Sequence, residues 1–372
     1  MRGGMNTMKV NDYDSFLAIV RLGIGHTVAT SAIKVSSWID LKALAERQEL
    51  SAIVLDGLNE VRRRNTDVGS ELVPPQTMTL QWIGEVLQGY EQRYKQYEKA
   101  IESLAGFYNS HNIKMMVLKG YALSLDWPKP EHRPCGDIDI WQFGNYKGGD
   151  TLLSKEKGIV IDSSHHHHTI FYWKGFMVEN HYDFIEVQTL KSNEEMESLF
   201  KEMGMDDTRF IELNNENIYL PSPNLHALFL MRHMVAHFSS VSITLRQVLD
   251  WAFFVEKHTG EIDWDWLVDV LKQYHMYEFY NIINAICVRD LGFEVCLFPS
   301  LQFDIDLKQK VLEDILFPAY ETEAPKGMVR KFIYKYNRWQ GNAWKQKLCF
   351  KEKRYVLFFS GLWAHILRPS SK

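Results

Sequence analysis

The chain has 372 residues, of which 46% are hydrophobic and 24% charged, a composition that excludes a largely disordered polymer and leaves room for two or three packed units. A formal net charge of -5 and a pI near 6.3 exclude a general attraction to nucleic acid or an anionic membrane, so any polyanion site must be local. The four cysteines (Cys135, Cys287, Cys296, Cys349) have no paired spacing and read as free thiols of a reducing compartment.

The opening Met1 to Met8 lacks the apolar core of a secretory signal, and no run is long enough to span a bilayer, so a cytoplasmic protein with no transmembrane segment is expected. From about Asn11 to Glu102 apolar residues recur at three and four residue intervals, predicting a helical N-terminal region over 1–110. Its break at Val73-Pro74-Pro75 ends one helix and opens the next.

After Ser110 the period shortens. Strands are predicted at Lys114 to Leu118, Asp137 to Trp141, Gly158 to Ile161, Thr169 to Trp173 and Phe176 to Tyr182, with Lys174-Gly175 as a hairpin turn and helices near Tyr121 to Asp126 and Lys147 to Glu156. Residues 111–222 therefore read as a small mixed sheet with helices. Beyond Pro221-Ser222-Pro223 the helical period returns at Leu225 to Phe238, Ser242 to Lys257 and Trp264 to Tyr274, giving a helical domain over 223–325. The final 326–372 carry 12 Lys and Arg against Glu352 alone, with Trp339, Trp344, Tyr355 and Trp363 interleaved. That segment reads first as an amphipathic helix with a solvated basic face and second as a contact for an anionic partner. The fold class is α+β, a small mixed sheet flanked by helical regions.

The chemistry concentrates in Leu118-Lys119-Gly120 and in Arg133-Pro134-Cys135-Gly136-Asp137-Ile138-Asp139-Ile140. Alternation along a strand puts Asp137 and Asp139 on one face, about 7 Å apart at Cα, and sends Ile138 and Ile140 to the core. Two carboxylates held that close repel unless a cation compensates them, and oxygen-only ligands favour Mg²⁺ with nucleotide phosphates as further ligands. An Asp-x-Asp at a strand end is by itself a weak signal. Its context makes it informative.

With Leu118-Lys119-Gly120, Arg133 four residues before Asp137, and Glu179-Asn180-His181-Tyr182 on a later strand, the chain resembles the DNA polymerase beta-type nucleotidyltransferase superfamily. Within it the resemblance is to a group known as uncharacterised nucleotidyltransferases, and it extends over roughly Val35 to Asp290 through Leu245 to Ala252 and Ile262 to Trp266. The resemblance implies a nucleotidyltransferase core in which Asp137, Asp139 and Glu179 bind two Mg²⁺ ions that hold a nucleoside triphosphate, with ATP expected. It further implies nucleotide binding by Lys119, Gly120 and Arg133, with Glu179 able to help deprotonate the acceptor. Two positions depart from the superfamily's pattern: Tyr121 follows the glycine where Ser or Gly is frequent, and the third acid is Glu rather than Asp, with Asp183 and Glu186 as substitutes.

The expected reaction moves a nucleotidyl group from the triphosphate to a hydroxyl of an unidentified small molecule or protein, with no extended nucleic-acid track. The alternative is a catalytically silent nucleotide-binding module of the same fold. Elsewhere, His165 to His168 offers imidazoles for a transition metal, although on a strand only two of the four point one way. Rings of that run also have the option of lining a nucleotide cleft. His233 and His237 read as satisfied imidazoles packed within a helix, with Met234 where a zinc protease has its glutamate, and Arg246 and Asp250 as an ion pair one turn apart.

Overall fold

A computed structural model describes residues 10–64, 73–187, 191–206, 209–299, 301–320 and 325–352. Helices α1 (Val10–Gly23), α2 (Trp38–Arg47) and α3 (Ser51–Arg64) open the chain. Helix α4 (Gln76–Val86) starts directly after the Pro74-Pro75 break and continues through a π-helical turn, Leu87–Gln92, into α5 (Arg93–Asn109). Glycine lets α1 and α3 touch backbone to backbone, since a Cβ on Gly57 would lie 2.0 Å from the carbonyl oxygen of Ile19.

Among the described residues six strands follow, β1 (Met116–Val117), β2 (Ile138–Trp141), β3 (His168–Trp173), β4 (Phe176–His181), β5 (Arg209–Leu213) and β6 (Glu216–Leu220). They lie in one sheet in the order β3-β4-β2-β1-β6-β5, with β1 parallel to β6, β2 parallel to β4 and the other neighbours antiparallel. The α6 turn (Tyr121–Ser124), α7 (Tyr146–Lys157) and α8 (Lys191–Asp206) connect them. The fold is thus α+β with a mixed sheet between helical regions.

Local chemistry explains both hairpins. Lys174 and Gly175 have φ of 47° and 85°, the positive pair that a two-residue turn of the twist-matched type requires. Asn214 and Asn215, at 50° and 70°, do the same for β5 and β6, a hairpin not among the predicted strands. The strand expected at Gly158 to Ile161 is absent. Gly158 ends α7 in the left-handed conformation, Val160 is exposed, and only Asp162 bridges to Ile170 of the edge strand.

Helices α9 (Pro223–Ser240), α10 (Leu245–His258), α11 (Trp264–Gln273), α12 (Tyr277–Arg289), α13 (Ile305–Leu316), α14 (Met328–Gly341) and α15 (Ala343–Cys349) complete the chain. Ser222 caps α9 by accepting from the Leu225 N–H, and Thr244 with Gln247 forms a reciprocal capping box on α10. None of these helices among the described residues is long and apolar enough to cross a membrane. In α14 the amphipathic pattern is present, but Met328, Val329, Phe332 and Ile333 face outward with the basic residues. The end of the basic segment, 353–372, lies outside the described residues.

Two apolar clusters sit on opposite faces of the sheet. One packs Ile138, Ile140, Val178 and Ile218 against Tyr97, Ile101 and Leu104 of α5. The other joins Trp141, Met116 and Leu118 to helices from both ends of the chain, from Phe16 and Ile53 to Val235, Trp251 and Ile315. Asp139 of β2 and Glu179 of β4 belong to this second face.

Candidate functional site

Strand parity decides which side chains meet. With Ile138, Ile140 and Val178 turned toward α5, Asp139, Glu179 and His181 project the other way, toward α9 and α10. The parallel register sets Asp139 beside Glu179 and Trp141 beside His181, and the β3–β4 register sets His168 opposite His181. A cavity of about 690 Å³ opens there, with Lys119, Gly120, Asp137, Asp139 and Glu179 on its sheet wall. Helices α9 and α10 supply the facing wall through His233, His237, Arg246 and Asp250.

Asp139 is the most enclosed acid, 2% exposed. Lys119 Nζ lies 2.8 Å from its Oδ1, and His181 Nε2 lies 3.0 Å from the same oxygen. Burial alone would raise this carboxyl, but the charge of Lys119 and the hydrogen bond of His181 outweigh it and hold Asp139 ionised far below the usual carboxylate range. Lys119 responds in kind, since burial opposes its charge and Asp139 more than restores it, leaving the ammonium above its ordinary value. Asp137 goes the other way. Burial and then the like charge of Asp139 push its carboxyl up, and Lys119 only partly offsets them.

Glu179 is pulled down, with burial overcome by His181, whose Nε2 lies 3.5 Å from Oε2. His181 is raised, because hydrogen bonds to Asp139 and Glu179 outweigh its desolvation. The neighbouring His167 and His168 are instead kept neutral, held mainly by burial at about 3 and about 4 respectively. One ligand atom each from Asp139, Glu179 and His181 falls within 4.8 Å of the others, and so does one from each of His167, His168 and His181. Of the two acids weighed as substitutes, Asp183 is paired with Lys201, whereas Glu186 lines the cavity beyond the end of β4.

Gly120 sits where no other residue fits without strain. Its φ is 56°, and a Cβ would meet the Tyr97 hydroxyl at 2.3 Å. That hydroxyl donates to the Asp137 carbonyl at 2.8 Å, so α5 braces both the glycine turn and the entry to β2. Arg133 also reaches the cavity, but it is buried and its Nε and Nη2 donate to the two oxygens of Asp250 at 2.7 and 3.0 Å. Asp250 further accepts from Trp127 Nε1 at 2.9 Å and Arg246 Nη1 at 2.6 Å.

His233 and His237 border the cavity instead of packing inside the helical layer. Their rings stand 4.3 Å apart on the face of α9 turned to the cavity, and among the described residues no hydrogen bond to their ring nitrogens is present. The four-residue spacing correctly implied one shared face; nothing in the sequence said that this face borders a cleft. Glu49, which accepts from Arg246 Nε at 2.6 Å, joins the wall from 197 residues away in sequence, a contact that no local pattern announces.

A family model described as "Uncharacterised nucleotidyltransferase" matches residues 34–291, more than half of the chain. No curated protein matches. Among solved structures, an antigenic nucleotidyltransferase-like protein from Paracoccidioides brasiliensis is similar at 14% identity, with a TM-score of 0.35, over 48% of this chain and 88% of that one.

Proposed function

The chain belongs to the uncharacterised nucleotidyltransferase family, and from that premise we propose that it transfers a nucleotidyl group from a nucleoside triphosphate, ATP first among them, to a hydroxyl of a small-molecule or protein acceptor. The observation that carries this reading is the parallel register that sets Glu179 beside Asp139, on the same cavity wall as Asp137 and the Lys119-Gly120 turn.

The donor set suits Mg²⁺. Asp137, Asp139 and Glu179 offer carboxylate oxygens, and the upward push on Asp137 by burial and by Asp139 marks negative charge that one lysine does not balance, which a bound cation would relieve. Bound there, such ions would supply charge stabilisation to the entering and leaving oxygens of an in-line displacement at phosphorus. Glu179, held ionised beside His181 on the cavity wall, would accept the proton of the acceptor hydroxyl. Lys119 would shift part of its charge from Asp139 to phosphate, and the Gly120 turn, whose positive φ only glycine takes without strain, would present backbone to it. Arg133 takes a different role from phosphate binding in this reading, because Asp250 occupies its fork; it positions α10 against the loop that leads into β2.

One feature favours the silent module. Lys119 and His181 already neutralise Asp139, so the acid has partners without any ion. Calorimetry with ATP, GTP, CTP and UTP, with and without Mg²⁺, separates the cases: Mg²⁺-dependent binding is expected, and its absence for every nucleotide overturns both readings. Binding that Asp137→Asn with Asp139→Asn leaves unchanged would remove these acids from the metal site. Release of pyrophosphate with an acceptor distinguishes the enzyme from the sensor.

A further inference from the structure

Two imidazoles at the edge of the cleft do nothing in the scheme above. His168 is 6% exposed, and among the described residues neither of its ring nitrogens has a hydrogen-bond partner; Nδ1 of His167 is likewise buried without one. A buried nitrogen left unpaired is costly, and three side by side point to a ligand that supplies the missing partner.

The strands converge these rings. The register sets His168 directly opposite His181, with ring centroids 5.2 Å apart. The His167 ring lies 4.3 Å from that of His168 and 5.5 Å from that of His181. One nitrogen from each of the three falls within 4.8 Å of the others, close enough for a small inward adjustment to bring all three to one ion. His167 and His168 both line the cavity, so the ion would be reachable from solvent.

We propose that His167, His168 and His181 form a nitrogen-donor site for a borderline divalent cation of the Zn²⁺ type, next to the carboxylate set and chemically distinct from it. Imidazole suits Zn²⁺, Co²⁺ and Ni²⁺ and is a poor partner for Mg²⁺, which takes oxygen. Glu179 stands between the two sets, with Oε1 3.8 Å from His168 Nε2 and Oε2 3.5 Å from His181 Nε2, and contributes negative charge; His181 would keep Nδ1 on the Asp183 carbonyl and exchange the Nε2 proton it shares with Asp139 for the ion. Three protein nitrogens leave a coordination position facing the cavity, the arrangement of sites that bind water or substrate rather than of closed structural sites. The site stands on its own geometry, whether or not the cleft transfers nucleotidyl groups.

The probe is Co²⁺, added to the full chain after chelator treatment and in the presence of excess Mg²⁺. The expected result is one equivalent bound, with the visible absorption of a four- or five-coordinate ion, unmoved by Mg²⁺ and displaced by one equivalent of Zn²⁺. His167→Gln with His168→Gln should weaken Co²⁺ binding by about 100-fold or more, above the 10–100-fold range of outer-shell changes, while Asp137→Asn should leave it within a few-fold. Loss of the Co²⁺ band in Mg²⁺ would place the ion on the carboxylates and overturn the proposal, as would a folded histidine variant that binds Co²⁺ as tightly as the wild type. The Mg²⁺ competition uses only the wild-type chain, so it decides the matter even if the variant does not fold. Co²⁺ binding without Mg²⁺-dependent nucleotide binding would end the transferase reading and leave this one intact.

Discussion

Arg133 and Asp250, 117 residues apart in sequence, form a two-pronged ion pair that ties the loop before β2 to α10. Both are buried, and burial raises the carboxyl of Asp250 less than Arg133 and Arg246 lower it. Breaking such a pair leaves an uncompensated charge in the interior, at a cost of about 3–5 kcal/mol. Asp250→Asn should destabilise the chain by that amount in urea unfolding. Arg133→Met should cost less once Asp250→Asn is present than alone, since the two act as a unit; additive losses would show that they do not.

Gly120→Ala should be costly for its size. The left-handed φ adds about 1–2 kcal/mol for a residue with a Cβ, and the new methyl carbon would collide with the Tyr97 hydroxyl at 2.3 Å. Adding Tyr97→Phe removes the oxygen in the way and should recover part of the stability, though not the bond to the Asp137 carbonyl. Thermal midpoints of the three variants measure this; no recovery in the double variant would locate the cost in the backbone alone.

Lys119→Met removes the cation that holds Asp139 ionised. The variant should be less stable than the wild type in chelator and should gain more from Mg²⁺, because an ion would then be the principal compensation for three acids. A thermal shift on adding Mg²⁺ that is no larger in the variant than in the wild type contradicts a metal at these carboxylates.

Glu197 gives the chain a pH response just behind the cleft, since the Phe184 and Ile185 it holds line the cavity. It accepts from the N–H groups of Phe184 and Ile185, both at 3.0 Å, yet burial, aided by Asp183, pushes its carboxyl from 4.5 up to about 7 against those bonds and Lys201. A raised carboxyl binds its proton more tightly in the folded state, so its contribution to stability is fully present below pH 4.5 and is lost as pH rises toward 7. The loss should reach a few kcal/mol, and Glu197→Gln should flatten the thermal midpoint over this window.

The site was legible in sequence where a short period carries the information. Asp137-Ile138-Asp139-Ile140 alternates, so the inward isoleucines and the shared face of the acids follow from the pleat, and Lys174-Gly175 between two alternating runs fixes the β3–β4 hairpin. The partners of β2 were not legible, because β4 and β1 flank it by long-range pairing that no local pattern encodes. For the same reason Arg133 read as a phosphate ligand: its charge is visible in sequence, and the Asp250 that occupies it is not. The histidines of α9 were misread on one point only, the environment of the face they share.

The helical layer behind the cleft is knit from both ends of the chain. Gln48 donates to the Ile315 carbonyl at 2.8 Å and accepts from the Leu245 N–H at 2.8 Å, and Phe16 and Ile53 share a cluster with Val311 and Ile315. During synthesis the first helices therefore emerge with apolar faces whose partners do not yet exist. At roughly 5–20 residues per second the wait is on the order of tens of seconds, an interval in which the first helices have only one another, α1 against α3 above all, to pack on. The acids of β2 and β4 would leave the ribosome before α9 and α10, the helices that wall them in, so the cleft can close only after those helices have emerged.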